Sequence, residues 1–423
     1  MVLDTPATTV QISTGSKRFH FDDSEDPHMT LPRPATAEPG SAPTRPYRIA
    51  VWGPGEVGGA VIRAAVADPA FEVVGALVHN PKKDGKDIGE LVRTDPIGIA
   101  ATRDREAFKE LDVDCVVLTP APAAVIKGLD DDVIDLLESG KNVVATAAYH
   151  NVSMPNWLSP FRKSPQRMLE ACRTGGATLH GTGVHPTFIV ERVAMTMAKA
   201  MSSVSHVRSV EAVDFSRAGS MWGGLEALGF GADPDSLSAE SPVARGGDIY
   251  YGDLTGNVAH ALYGADSAEV RVETSLRGLP AERDAQVGAT TIRKGTAAAL
   301  HLTHRGYLGD DHFFTNEECW YLASVPTRPA RSAPGAELVY RGDDLPFGGF
   351  TSPIAYTLVI SGEPAEMRTQ LEFGIGSGHT NPITTASVRA VLDAVPAVVE
   401  AEPGILVDDV GPHYRHDDRV RLP

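Results

Sequence analysis

What the chain lacks narrows it first. Among 423 residues there are only three cysteines, Cys115, Cys172 and Cys319, widely spaced and without a C-x-x-C pair. That excludes a disulfide framework and a cysteine-built zinc centre, and it suits a reducing compartment. No apolar run approaches the ~18 residues that a bilayer-spanning helix needs. No basic segment leads into an apolar one at the N-terminus, so no secretory signal is read there and a cytoplasmic location is expected. Basic charge is also short. Lys and Arg number 38 against 55 Asp and Glu, a formal charge of −17, which argues against nucleic acid or an anionic membrane as partner. No Gly-Lys-Ser/Thr loop, no G-x-S-x-G elbow and no long internal repeat occurs. His180 and His185 stand five apart with no carboxylate motif beside them, so no metal is expected.

Against these absences one stretch carries a pattern. Ile49 to Trp52 is a short apolar run that breaks at Gly53, and Gly55 and Gly58 complete a G-x-G-x-x-G before an amphipathic run from Val57 to Val66. Between a strand and a helix each glycine has a mechanical task. Gly53 permits the tight turn, Gly55 lets backbone approach a pyrophosphate, and Gly58 lets the helix pack close to the strand. The helix N-terminus, with Glu56 and Val57, then faces the phosphates. A dinucleotide is the expected ligand and a small molecule the expected substrate.

The periodicity around that turn predicts a doubly wound α/β domain. Strands are expected at Phe71–Val78, Ile97–Thr102, Val113–Leu118, Asn142–Thr146 and Ala177–His180, with helices ending near Ser139 and Thr174. Beyond Gly183 the pattern changes. A helix with Pro186 in its first turn is expected to run to about Met201, followed by strands with one polar face around Val270–Val272, Leu300–Leu302, Cys319–Ser324 and Met367–Phe373. These predict a second α+β domain on a largely antiparallel sheet, with long loops at 219–256 and 326–350. The expected division is a disordered extension over 1–45, a Rossmann domain over 46–183, the α+β domain over 184–383, a returning helix over 384–411 and a tail over 412–423.

A ribose-binding acid is expected about 20 residues past the last glycine. Counting from Gly58 reaches His79 and Asn80 instead, with Lys82, Lys83 and Lys86 following. Lysine attracts a 2′-phosphate that an acid would repel, so NADP is preferred over NAD. Thr119, Pro120 and Ala121 end one predicted strand and Thr146 another, at the sheet edge where such cofactors lie. Hydride delivery to a carbonyl or imine also needs a proton donor. Tyr149 and His150 follow the Asn142–Thr146 strand, and His180 and His185 flank the next glycine loop as rivals. Asp214, Ser216 and Trp222 are placed at a substrate pocket by position.

The segments Tyr47–Gly58, Asp84–Leu91, Gly140–Val144, Gly181–Pro186, Leu228–Gly231 and Thr384–Gly404 together resemble the dihydrodipicolinate reductase-like proteins. Within them the chain is most similar to 2,4-diaminopentanoate dehydrogenase and the NAD(P)-dependent amine dehydrogenases. The resemblance implies an oxidoreductase acting on a C=N bond or its amine, with a second domain that forms a homodimer. Two departures stand out. Where the group carries a glutamate for proton transfer, this chain reads Ala145–Asn151 without a carboxylate. Where the group favours Asn-Pro-Gly-Phe, it reads His185-Pro-Thr-Phe188. The rival readings are a reductase of a cyclic imine or conjugated substrate, although its His-His and Lys-x-Asp pattern is missing, and a non-catalytic NADP(H)-binding sensor or structural subunit.

Overall fold

A computed structural model of the chain describes residues 45–120, 124, 128–146, 149, 165–218, 224–266, 269–327, 352–374 and 382–406. Strand β1 (Tyr47–Trp52) shows how the first sheet is built. Ile49 and Val51 point to one face, Ala50 and Trp52 to the other, and all four are buried. A strand buried on both sides needs a cover on both sides. Helix α1 (Glu56–Ala67) and the C-terminal helix Pro382–Glu400 supply one layer, packing Val61, Ile62, Val391 and Val395 against Ile49 and Val51. Helices α2 (Leu129–Glu138) and α3 (Pro165–Gly175) supply the other, packing Val133, Leu137 and Met168 around Ala50 and Trp52.

The sheet contains β1, β2 (Phe71–Leu77), β3 (Cys115–Leu118), β4 (Asn142–Ala145) and β5 (Thr178–Gly181). All pair in parallel, and the C-terminal segment Gly404–Ile405 adds a sixth strand beside β5. This is the expected doubly wound sheet. One expected strand is absent. Ile97–Thr102 makes a single parallel bridge from Thr102 to Leu77, because its other backbone groups turn towards Lys86 and Ile88 in the loop that precedes it.

The second sheet comprises β6 (Ser203–Asp214), β7 (Val270–Pro280), β10 (Ala297–Leu308), β11 (Asp311–Tyr321), β12 (Ile354–Glu363) and β13 (Met367–Glu372); β8 (Ala285–Val287) and β9 (Thr290–Ile292) form a separate hairpin. Its order is β13-β12-β6-β11-β10-β7, antiparallel except where β6 meets β11. Helices α4 (Val184–Ala194, continued by Met195–Ala198) and α5 (Asp253–Tyr263) supply Ile189, Val190, Leu254 and Val258 to a core shared with Val207, Leu300, Leu302, Phe314 and Leu358. The loop expected at 219–256 is a correction. Its described part holds helices Leu225–Leu228, Pro242–Gly247 and Asp248–Gly252 and the start of α5. Its glycines suggested irregular chain, but Leu225, Leu228, Ala244 and Ile249 are buried, and packing overrides propensity. Among the described residues no helix is long and apolar enough to cross a membrane.

The glycine turn has little tolerance. Gly53 adopts φ +90°, and a Cβ built on Gly58 would lie 2.4 Å from both the Gly53 carbonyl oxygen and Thr119 Oγ1. Gly58→Ala must therefore force the start of α1 away from β1. A loss of about 1–3 kcal/mol in chemical denaturation is expected from such overpacking, together with loss of dinucleotide binding by isothermal calorimetry.

Candidate active site

The parallel strands all end on one edge of their sheet, and the expected cofactor residues gather there. Gly53 closes β1, Thr119 and Pro120 follow β3, and Thr146 follows β4 with its N–H donating to Leu118 O at 3.0 Å. Thr119 works from behind, donating its hydroxyl to Gly53 O at 2.8 Å and so bracing the turn. Gly55 and Glu56 are exposed, Val57 is half-buried, and no side chain caps the N-terminus of α1, so the first-turn N–H groups are presented outward. Lys83 reaches the same turn, its Nζ donating to Pro54 O at 3.2 Å. His79 and Asn80 are exposed at the end of β2, with Asn80 capping the short Pro81–Lys83 helix. Reading the sequence missed Arg103, whose Nε donates to the His79 carbonyl at 3.1 Å and sets a second cation beside the end of β2. Ala121 lies outside the described residues.

The proton-donor candidates separate clearly. Tyr149 is buried against α2, where its hydroxyl donates to Asp130 Oδ1 at 2.7 Å. His180 sits within β5, registered with Val144, and its Nδ1 meets the Leu406 carbonyl at 2.8 Å. Asp214 spends its carboxylate on Ser216 N, Ser216 Oγ and Ala323 N, bracing the chain after β6. His150 and Trp222 lie outside the described residues.

His185 is different. It lies just past the end of β5 in extended conformation, immediately before the helical turns of α4 that begin at Pro186. Its side chain is almost wholly buried, and its ring lies between Tyr251 and Tyr356 at centroid distances of 5.6 and 5.1 Å. Nε2 meets Glu318 Oε1 at 2.9 Å, while Nδ1 has no partner among the described residues. Asn316 Nδ2 also donates to Glu318 Oε1, at 2.7 Å. Beside Glu318 stands Glu211, which accepts from Tyr356 OH at 2.6 Å and from Trp320 Nε1 at 3.1 Å. A neighbouring group, His304 with Asp248 at 3.1 Å, continues this polar seam under Tyr251.

Burial would raise both carboxyls of the pair. For Glu318 the His185 charge and the hydrogen bonds from His185 and Asn316 oppose burial, and the carboxyl is brought down to about 2. For Glu211 burial acts together with the Glu318 charge, and the hydrogen bonds from Tyr356 and Trp320 do not offset them, so it is driven well above the usual carboxylate range. Burial, followed by the nearby carboxylates, also keeps Tyr251 and Tyr356 protonated. Neither glutamate was singled out from the sequence, yet a signal was present. Phe314, Asn316, Glu318 and Trp320 alternate in one strand, so Glu318 shares the face of two large aromatics.

A cleft of about 740 Å³ lined by Met195, Met201, Val204 and Tyr263 lies at the opposite end of the α4 helix and contains none of these groups. The His185 cluster, with its buried titratable groups, is the candidate site rather than that cleft.

Comparison with known proteins bears on the fold and on the class of reaction. Residues 47–147 match the family described as dihydrodipicolinate reductase, N-terminus. An amine dehydrogenase from Streptomyces virginiae is 27% identical over 372 residues, spanning 84% of this chain and 93% of the relative. The structure of an amine dehydrogenase from Mycobacterium smegmatis superposes with a TM-score of 0.59 at 18% identity, covering 85% of this chain and 94% of that one. A dipicolinate-bound dihydrodipicolinate reductase from Paenisporosarcina sp. TG-14 superposes at 0.41 with 14% identity, over 86% and 97% of the two chains. The protein is thus an oxidoreductase that works with a nicotinamide dinucleotide.

Another buried acid, Glu191, lies on α4. Glu191 accepts from Asn257 Nδ2 at 2.7 Å, and burial raises its carboxyl to about 7 against the opposing pull of that bond. A value raised above the unfolded one means that the native state favours the protonated form. That contribution to stability is full below the unfolded value near ~4.3 and is lost as pH rises through about 7. Glu191→Gln removes the dependence. Its melting temperature should exceed that of the parent at pH above ~7 and approach it in mild acid, as scanning calorimetry across this window would show.

Proposed function

We propose that the protein interconverts a small carbonyl or imine compound and the corresponding amine, with NADP as the preferred cofactor over NAD. The observation that carries this reading is the His185–Glu318 pair, placed just beyond β5 of a dinucleotide-binding sheet. The glycine cradle fits the cofactor, since the space a Cβ would need at Gly58 is already filled by Gly53 and Thr119. When bound, the nicotinamide supplies or accepts a hydride at carbon. With Nε2 committed to Glu318, Nδ1 of His185 is the atom left to exchange a proton with the substrate's nitrogen or oxygen. Glu318 orients the ring and stabilises the imidazolium, as a carboxylate does for histidine in other acid–base pairs. Tyr251 and Tyr356 hold the ring between them and limit access of water.

The amine assignment draws on the two amine dehydrogenases similar to this chain. The NADP preference draws on Lys83 and Arg103, with no acid at the end of β2. A cytoplasmic homodimer built on the second sheet belongs to the same reading.

Absorbance at the nicotinamide band, followed with NADPH or NADH, ammonia and a panel of ketones, tests it. Ammonia-dependent turnover is the expected result; turnover without ammonia would make the protein a carbonyl reductase, and tight cofactor binding with no turnover would favour a sensor. His185→Ala should lower kcat by about 10²–10⁴-fold while leaving cofactor affinity intact, the loss typical of a missing general acid. Lys83→Ala should weaken NADPH binding by about 10- to 150-fold and NADH binding much less, since a charge-assisted contact to a phosphate is worth about 1.5–3 kcal/mol. Equal effects on the two cofactors would refute the phosphate assignment.

A further inference from the structure

Strands β6 and β11 run parallel with Glu211 registered directly opposite Glu318. Both side chains project onto the helix-covered face, where Glu318 is fully buried. One ligating atom from each, together with one from His185, fall within 4.8 Å of one another. The oxygens are already supplied with donors: Tyr356 and Trp320 for Glu211, His185 and Asn316 for Glu318. Only Glu318 Oε2 is left without a partner among the described residues. The titratable groups facing the pair are His185 ahead of α4, Tyr251 from Asp248–Gly252 and Tyr356 from β12, with His304 and Asp248 beyond Tyr251. One imidazolium can balance one carboxylate. A second negative charge here would be buried without a counter-charge.

We propose that Glu211 is held as a carboxylic acid and gives its proton to the free oxygen of Glu318, so that a single negative charge stands behind His185. This rests on the reading of His185 as the proton donor. Glu211 is then a positioning residue that acts through Glu318. Two negative charges would bind the imidazolium more tightly than one and hold its proton back from the substrate. In the forward step the Nδ1 proton of His185 passes to the substrate's nitrogen or oxygen, imidazolium becomes imidazole, and the Glu211 proton stays between the carboxylates. Solvent then restores the proton on Nδ1.

Infrared spectroscopy of the full-length protein at neutral pH is the test, with Glu191→Gln as the parent, because that change removes the other buried acid, raised to about 7, and Glu191→Gln/Glu211→Gln as the variant. A protonated carboxylic acid C=O band is expected in the parent and lost in the variant, because glutamine keeps the size and the donor but has no such band. Tyr356→Phe serves as the second variant; it removes a hydrogen bond to Glu211 and should shift the band without abolishing it. The pH profile of ammonia-dependent turnover adds a functional readout. The parent should lose activity on the alkaline side as Glu211 ionises, and Glu211→Gln should lack that limb. Absence of the band from the parent, or its survival in Glu211→Gln, overturns the proposal. So does a stoichiometric divalent cation that metal analysis finds in the parent and not in Glu211→Gln, since a cation would then neutralise the pair. The infrared result needs no turnover. A band lost in Glu211→Gln from a protein that reduces nothing would leave proton sharing intact and refute the catalytic reading. Turnover without the band would do the reverse.

Discussion

The space denied to a single methyl group at Gly58 governs the arrangement of the first domain. The Gly53 carbonyl and the Thr119 hydroxyl occupy the position that a Cβ would take, and those two groups are hydrogen-bonded to each other. Helix α1, strand β1 and the end of β3 are thereby drawn to one point. With α1 held close, its uncapped N-terminus opens at the sheet edge where β4 and β5 also end. Everything that reaches this edge, including Lys83 from the β2 side and His185 from the β5 side, does so relative to that contact.

This part of the molecule was legible in the sequence because the constraints are local. A strand, three glycines and an amphipathic helix occupy Tyr47–Ala67 without interruption. The alternation of strand and helix then follows from apolar runs bounded by turns. Illegible features were those decided by distant partners. Ile97–Thr102 has the composition of a strand but spends its backbone bonds on the nearby loop. Residues 224–263 are rich in glycine, yet they fold as helices because Leu254 and Val258 meet the second sheet. Tyr149 and His180 carry groups able to transfer protons, but Asp130 and the Leu406 carbonyl, both far along the chain, engage them. Glu211 and Glu318 look like ordinary strand acids until register places them opposite each other.

The candidate site draws its groups from both sheets. Residues 145–151 include no carboxylate. The imidazole of His185 turns towards a carboxylate on the second sheet. A histidine at the end of β5 has use for a buried carboxylate behind it, and β11 provides one.

Among the described residues only one pair of neighbouring strands in the second sheet runs parallel, β6 with β11, and these are the strands that carry Glu211 and Glu318. A parallel pair cannot close through a short turn, and here β7, β10 and much of the intervening helical chain come between the two strands. Their register forms late, because loop closure over such a separation costs entropy before any contact repays it. No local fragment contains both carboxylates and His185. The charge arrangement around His185 consequently exists only once the long-range topology is complete.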